Sequence, residues 1–239
     1  MLLLFPGAVF LFIIFLAVLP AALLMRYVYR QDRYEKEPLG LLAKLVVMGV
    51  LAGFLSMVLE SVGQKILDMT PLEPDSPRYT IVMAFLVVAL VEEGMKYLLM
   101  NRCVWKNPAF DYRFDAIVYA VFTSLGFAAM ENIMYVMGFG FSVLLSRALL
   151  SIPAHMSFSV VFGVFYGRAR LYANRRQKSL SAANMLIGFL TAVFFHGFYD
   201  ACAMIGTGFS MLLFALFMIV IYVTVFLVVR SEARTDMPV

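Results

Sequence analysis

The sequence predicts an all-α membrane protein, a polytopic transmembrane helical bundle of about seven helices. Of its 239 residues, 63% are hydrophobic and 14% are charged, whereas a soluble domain has about 45–50% apolar and about 25% charged residues. The mean hydropathy is +0.90. Apolar runs long enough to cross ~30 Å of hydrocarbon recur along the chain. We therefore expect a single integral membrane domain over residues 1–239, located in the cell membrane.

Each apolar run is assigned one helix. The first run is not expected to be a cleavable signal peptide, because no basic residue precedes it and Arg26, Arg30 and Arg33 follow it. Pro38 is expected to set the start of the second helix, and residues 63–78 are expected to form an irregular acidic loop. The predicted spans cover approximately residues 2–25, 44–62, 79–101, 115–138, 143–167, 182–206 and 209–229.

The distribution of lysine and arginine predicts the orientation of the bundle. Alternate loops contain only Lys65 and Arg78, whereas the other connecting segments are rich in basic residues. Basic loops stay in the cytoplasm, which places the N-terminus outside and the C-terminus in the cytoplasm. The net charge of +4 therefore reports topology and contact with the lipid bilayer, and no nucleic-acid partner is expected. The basic segments are 26–44, 101–114, 168–181 and 230–239.

The predicted spans contain ionisable residues that need a partner or a purpose. Each costs about 2.5–3.5 kcal/mol at the centre of a membrane helix, and both histidines of the protein are among them. Counted at ~1.5 Å per residue from the outer end of its span, Glu92 lies ~20 Å deep, His155 ~18 Å and His196 ~15 Å. Glu131 and Asp200 lie at ~11 Å and ~9 Å. Because these depths overlap, we expect the residues to line one cavity that opens outward.

Helical spacing adds to this expectation. Lys96 follows Glu92 by four residues and Glu93 by three, so it can meet either carboxylate, while the two glutamates diverge by ~100° and should have different roles. His196 and Asp200 are four apart and share a face. Pro153 should kink the fifth helix beside the buried histidine at position 155.

Several of these residues also have an ordinary structural interpretation. Lys96 and one glutamate can neutralise each other for insertion, Arg147 near a helix end is expected to snorkel outward, and Asn132 is expected to hydrogen-bond between helices. Cys103 and Cys202 fall near opposite faces and are not expected to form a disulfide. The carboxylates exceed the basic groups by about two, so either carboxyls are protonated or a divalent cation lies among them. The sequence alone leaves both open.

The ionisable residues inside the predicted spans permit carboxylate and imidazole chemistry. The chain has no His-Glu-x-x-His zincin motif and no Gly-x-Ser-x-Gly serine motif. A buried glutamate can deprotonate water for attack on a carbonyl. Histidines can orient that water, stabilise an oxyanion or bind zinc.

Four motifs follow one another on successive predicted helices. They are Glu92-Glu93-x-x-Lys96, Phe127-x-x-x-Glu131-Asn132, an isolated His155, and His196-x-x-Tyr199-Asp200. In this order they resemble the PrsW family of membrane proteases, which cut anti-sigma factors and are distantly related to the type II CAAX prenyl proteases. The resemblance covers about residues 26–206, and the segment Asp32 to Pro38 also looks like the N-terminal region of that family.

The resemblance implies a role for each position. Glu92 would activate water, with Glu93 and Lys96 in support, and Asp200 would orient His196. The remaining motif residues would bind the water, the oxyanion or a metal, and zinc is the candidate cofactor. Where the prenyl proteases have histidine this chain has Glu131, so their metal-free mechanism does not transfer directly. The metal ligands that the resemblance implies are Glu131, His155 and His196.

The resemblance thus implies an intramembrane protease that hydrolyses a peptide bond of a single-span membrane substrate such as an anti-sigma factor. A CAAX-type or pheromone-processing peptidase is the nearest alternative. A proton- or metal-coupled transporter would also use buried carboxylates and histidines, although no repeated halves are visible. A non-catalytic receptor is a third alternative.

Overall fold

The computed structural model describes residues 6–74 and 76–239, and this part of the chain is all-α, as predicted. Seven long helices account for most of it, together with an isolated antiparallel bridge between Tyr112 and Pro238. The start of the first predicted span, at residues 2–5, lies outside the described residues. The helices are α1 Pro6–Gln31, α2 Leu39–Asp68, α3 77–104, α4 Asp115–Phe139, α5 Phe141–Asn174, α6 Lys178–Ile205 and α7 Gly208–Arg234.

Six of the described helices are long and apolar enough to cross a membrane. The exception is α3, which has three consecutive segments of 6, 7 and 15 residues. Its length is sufficient at ~1.5 Å per residue, but it carries Glu92, Glu93 and Lys96 close to its middle. The structure therefore confirms a multi-pass membrane protein.

The helices are longer than the apolar runs that predicted them. Pro38 immediately precedes α2, as predicted, but α2 continues to Asp68. The irregular connection to α3 is therefore much shorter than the loop predicted at residues 63–78. The hydroxyl of Tyr79 donates a hydrogen bond of 2.5 Å to Asp68 across this connection, and Ser76 accepts one from the backbone of Tyr79 as the N-cap of α3. A span predicted from hydropathy ends where polar residues begin, whereas a helix continues until its backbone is capped.

Helix α4 lies at the centre of the bundle, packed against α1, α2, α3 and α5. In its most apolar stretch 78% of residues are buried, compared with 28% in α7. Glycines permit the close approach of α2: a Cβ at Gly49 would lie 2.0 Å from the carbonyl oxygen of Thr123, and one at Gly126 would lie 2.4 Å from that of Val46. Small residues at such positions let membrane helices pack backbone to backbone.

Two helices contain a π-helical segment close to the motifs that carry the ionisable residues. In α3 it spans Met83–Ala89, and in α5 it spans Arg147–Ser151, directly before Pro153. A wide turn thus lies on the N-terminal side of this proline, and the kink of the helix there stays a prediction. The hydroxyl of Tyr222 on α7 donates to the carbonyl oxygens of Leu149 and Leu150, at 3.0 and 2.8 Å. This contact satisfies carbonyl groups at the irregular turn.

Candidate active site

Ionisable side chains from four helices meet inside the bundle, as the depth argument predicted. They come from α3, α4, α5 and α6, and the five most enclosed are each at most 6% exposed. Separate spans therefore contribute to one polar cluster within the part of the chain that the structure describes. Those five residues are Glu92, Glu93, Lys96, His155 and His196.

Lys96 is the central donor of this cluster. Its Nζ lies 3.0 Å from Glu92 Oε2, 2.9 Å from Glu93 Oε1 and 3.2 Å from His155 Nδ1. It also lies 3.9 Å from the centre of the Phe127 ring. The ammonium therefore does more than neutralise one glutamate of its own helix, because it also joins α3 to α5.

The contacts of His155 determine which of its ring nitrogens carries a proton. An ammonium can only donate, so Nδ1 accepts from Lys96 and Nε2 carries the hydrogen. This N–H donates to Glu131 Oε2, which lies 3.1 Å away. The same oxygen accepts a hydrogen bond of 2.6 Å from Arg147. Glu131 thus orients the imidazole of His155 so that the lone pair of Nδ1 faces the ammonium of Lys96, which also contacts Glu92 and Glu93.

His196 lies between three carboxylates. Its Nδ1 is 2.8 Å from Glu93 Oε1, the distance of an N–H that donates to a carboxylate. Its Nε2 is 3.3 Å from Asp200 Oδ2 and 3.8 Å from Glu92 Oε2. A lone pair on Nε2 would face two oxygens of the same partial charge. This side of the ring therefore requires a proton or a metal cation.

The two adjacent glutamates face different spaces, as their angular separation predicted. Glu92 lines a cavity of about 530 Å³, together with Glu131, His155, His196 and Asp200. Glu93 and Lys96 instead line a separate small space between α3, α4, α5 and α6. Glu92 is thus the member of the pair that a substrate in the cavity can reach. Apolar side chains form much of the rest of the cavity wall, among them Met57, Met130, Met134, Phe158 and Met204.

The prediction that Arg147 snorkels outward is wrong. Its guanidinium donates to Glu131 and, at 3.0 Å, to the side-chain oxygen of Asn132, and it lies 3.9 Å from the ring centre of Tyr135. The wide turn of α5 and the nearby carboxylate direct it inward, where it lines the cavity. Asn132 bonds between helices as predicted, donating at 2.6 Å to the carbonyl of Ala17 on α1.

Glu60 is a residue of this site that the motifs did not indicate. It lies near the end of the second predicted span and lines the cavity, and its Oε1 is buried without a hydrogen-bond partner. The available signal was its acidic charge next to an apolar run.

The donor set fits a metal ion. One ligand atom from each of Glu92, Glu93, His155 and His196 lies within 4.8 Å of the others, and two imidazoles with carboxylates form a donor set typical of zinc. The ammonium of Lys96 contacts three of these four residues, so a metal ion bound by His155 Nδ1 would displace it from that nitrogen. Asp200 Oδ2 is buried and its nearest partner is His196 Nε2 at 3.3 Å, while Oε1 of Glu60 is buried without a hydrogen-bond partner, so acceptor capacity is left over. Five carboxylates line or adjoin the cavity beside only two basic side chains. A divalent cation would offset this excess.

The predicted triad of metal ligands overlaps with this set in part. His155 and His196 belong to both, whereas Glu131 contacts His155 from outside the four converging residues. A direct bond from Glu131 to a metal stays a prediction.

Comparison with known proteins identifies the family. A model of the PrsW family of intramembrane metalloproteases matches residues 37–229. The chain belongs to the PrsW family. The protein is thus an intramembrane peptide hydrolase, as the order of motifs predicted, and the transporter alternative is set aside.

Curated relatives agree with this assignment. A protease PrsW of Geobacillus kaustophilus is 35% identical over 185 residues, which are 77% of this chain and 76% of the relative. A protease PrsW of Bacillus subtilis is 29% identical over 79% of this chain and 81% of its own length. One of Clostridioides difficile is 29% identical over 87% and 85%. No solved structure matches the chain.

Proposed function

We propose that this PrsW-family protease hydrolyses a peptide bond of a single-span membrane protein, such as an anti-sigma factor, near or within the outer leaflet. The chain acts as one protease domain, with its N-terminus outside and its C-terminus in the cytoplasm. The observation that carries the proposal is the position of Glu92, His155 and His196 around one cavity. The alternation of basic loops supports the orientation.

Glu92 is the proposed general base. It is the cluster's carboxylate on α3 that faces the cavity, and a positioned carboxylate can take a proton from the attacking water. Lys96 holds Glu92 and Glu93 by hydrogen bonds of 3.0 and 2.9 Å, which orients the base. Glu93 lies 2.8 Å from Nδ1 of His196 and orients the imidazole, while Nε2, which faces Asp200 at 3.3 Å, is the nitrogen left for a metal.

Zinc is the proposed cofactor, with His155 and His196 as ligands and a neighbouring carboxylate completing the set. When bound, it would polarise the carbonyl of the scissile peptide bond as a Lewis acid. The hydrogen bond from His155 Nε2 to Glu131 matches the carboxylate–histidine arrangement that orients metal-bound imidazoles. The geometry therefore favours Glu131 as the support of a ligand, and the sequence-based alternative has Glu131 as a ligand itself.

The cavity suits a membrane-embedded peptide. A transmembrane helix protects its own peptide bonds, so a substrate must present extended backbone to be cut. Unpaired backbone groups are tolerated at membrane depth only where a polar cavity receives them. Here polar groups of α3 to α6 lie beside methionine and aromatic side chains, which can hold the apolar side chains of such a segment.

The proposal is tested by cleavage in proteoliposomes. Purified protein is mixed with a single-span substrate, and products are identified by mass spectrometry. We expect Glu92→Gln to lower the cleavage rate by about 10²–10⁴-fold, because it removes the general base and changes the shape little. Glu73→Gln is the matched control, since Glu73 lies in the exposed connection after α2. Equal cleavage by wild type and Glu92→Gln would refute the proposal.

A further inference from the structure

A second cluster of buried carboxylates lies away from the active site. Asp32 follows α1, Glu37 precedes α2 and Asp115 begins α4. They are 2%, 4% and 1% exposed, respectively, and one oxygen from each lies within 4.8 Å of the others. Asp115 and Glu131 are sixteen residues apart on α4, or about 24 Å along its axis. The cluster is therefore separate from the catalytic cavity.

The oxygens of these carboxylates are only partly used as hydrogen-bond acceptors. Asp115 Oδ2 accepts from the backbone N–H groups of Asp111 and Tyr112, at 3.1 and 2.7 Å. Glu37 Oε2 accepts a 2.5 Å hydrogen bond from the hydroxyl of Tyr119. Asp32 Oδ2 is buried and has no hydrogen-bond partner. An unpaired buried carboxylate oxygen is costly and requires an explanation.

The basic side chains near the cluster bond to other groups. Lys36 directs its ammonium to the backbone carbonyls of Tyr29 and Asp32, and Arg113 pairs with Glu232 at 2.7 Å. Among the described residues, no ion pair joins any of the three carboxylates to a lysine or an arginine. Burial raises the pKa of Asp32 to about 6 and that of Glu37 to about 7. The three acids thus lie together without a side-chain ion pair, and burial disfavours their charged forms.

We propose that Asp32, Glu37 and Asp115 bind one hard divalent cation, Mg²⁺ or Ca²⁺. The donors are all oxygen atoms, which suits these two ions, whereas the two histidines of the active site suit zinc. The unpaired oxygen of Asp32 supplies the free ligand position, and the charge of the ion offsets the three carboxylates.

The bound ion has a structural consequence. It joins the α1–α2 connection to the start of α4, next to the place where the C-terminal segment docks. There the N–H of Arg113 donates to Met237, and that of Val239 donates to Asp111, at 3.0 and 2.8 Å. The cation would therefore hold the α1–α2 connection and the start of α4 together, and its binding to the folded state stabilises that state.

The test uses terbium luminescence on the full-length protein in a non-ionic detergent. Tb³⁺ is an oxygen-seeking analogue of Ca²⁺, and Tyr119 lies close enough to sensitise it. We expect Tb³⁺ emission that Ca²⁺ or Mg²⁺ displaces, and whichever ion competes at the lower concentration is the better ligand. Asp32→Asn should weaken Tb³⁺ binding about tenfold or more, because it removes one ligand charge. Glu35→Gln, an exposed change in the same loop, should leave it unchanged.

Two further measurements show whether the Tb³⁺ signal comes from the proposed site. A Glu92→Gln/Glu131→Gln variant, which removes oxygen ligands of the active site, should keep the displaceable Tb³⁺ signal; if the signal disappears with these glutamates, it came from the active site and the proposal is wrong. Thermal unfolding of the wild type in Ca²⁺ or Mg²⁺ against EDTA needs no variant. We expect a higher Tm with the cation. An unchanged Tm together with equal Tb³⁺ binding by wild type and Asp32→Asn would refute the site.

Discussion

Two clusters of buried carboxylates, about 24 Å apart along α4, are stabilised in different ways. In the active site, Lys96 and Arg147 form ion pairs with glutamates, and two imidazoles lie between the acids. In the cluster of Asp32, Glu37 and Asp115, backbone N–H groups and a tyrosine hydroxyl are the donors. The neighbours of a buried carboxylate therefore decide its chemistry. Nitrogen ligands favour zinc and water activation, and oxygen alone favours a hard cation.

The clusters also differ in how the backbone builds them. The active site draws on four helices, two of which contain a π-helical segment, a feature frequent at functional sites. The second cluster is built from a loop and the first residue of a regular helix. The active site therefore depends on helix packing, and the second cluster depends on how the connections dock.

Metal content gives the largest expected difference and separates the two interpretations of Glu131. We expect His155→Ala and His196→Ala each to weaken zinc binding by more than about 100-fold, since each removes a ligand. If Glu131 only supports His155, Glu131→Gln should cost about 10–100-fold. Elemental analysis and zinc titration of the purified variants measure this. Zinc retained in full by both histidine variants would contradict the metal site.

The ion pair of Arg147 with Glu131 is expected to give the next largest effect. The side chains are 11% and 21% exposed, so Arg147→Met should leave a poorly solvated carboxylate and cost about 2–4 kcal/mol of unfolding free energy. The double variant Arg147→Met/Glu131→Gln should be more stable than Arg147→Met alone. A double-mutant cycle by chemical denaturation measures the coupling. Additive effects would show that the pair contributes little.

A methyl group added beside His196 is expected to reduce stability and activity more than one added beside Glu93. A Cβ at Gly197 would lie 2.5 Å from the ring of Phe85, which belongs to the π-helical segment of α3. Gly197→Ala should therefore cost about 1–3 kcal/mol and lower activity. At Gly94 the nearest atom would be 4.0 Å away, so Gly94→Ala is a matched control that should be neutral or stabilising by up to about 1 kcal/mol. Thermal unfolding and cleavage rates compare the two, and equal effects would contradict the steric argument.

The smallest expected effect concerns the irregular turn of α5. Tyr222→Phe removes the hydroxyl that donates to Leu149 and Leu150, and the loss of a hydrogen bond of this kind costs about 1 kcal/mol. Because the turn positions Arg147, the KM or kcat should change along with the Tm. Tyr172→Phe is the control, because it also removes a tyrosine hydroxyl but one that forms no hydrogen bond to this turn. A Tm equal to that of wild type would show that the turn does not need the hydroxyl.

The sequence by itself determined the fold class, most helix positions and the identity of the acidic and imidazole residues that meet. The thickness of the hydrocarbon layer sets the length of a membrane helix, and the free-energy cost of a buried charge marks the residues that need partners. Helix positions and candidate site residues can therefore both be predicted from the sequence. Depth along an axis follows from counting residues, which is why the meeting of Glu92, His155 and His196 was predictable. The segment from Asp32 to Pro38 was also recognisable as a family-like motif.

Only the tertiary structure decided which partners these residues have. The inward direction of Arg147, the support of His155 by Glu131 and the meeting of Asp115 with Asp32 and Glu37 all depend on rotation of helices about their axes and on the docking of connections. Local spacing does not specify either, because contacts between residues distant in sequence set them. The same acidic side chain can be a base, a support for a ligand or a cation ligand, and its neighbours from other helices determine which.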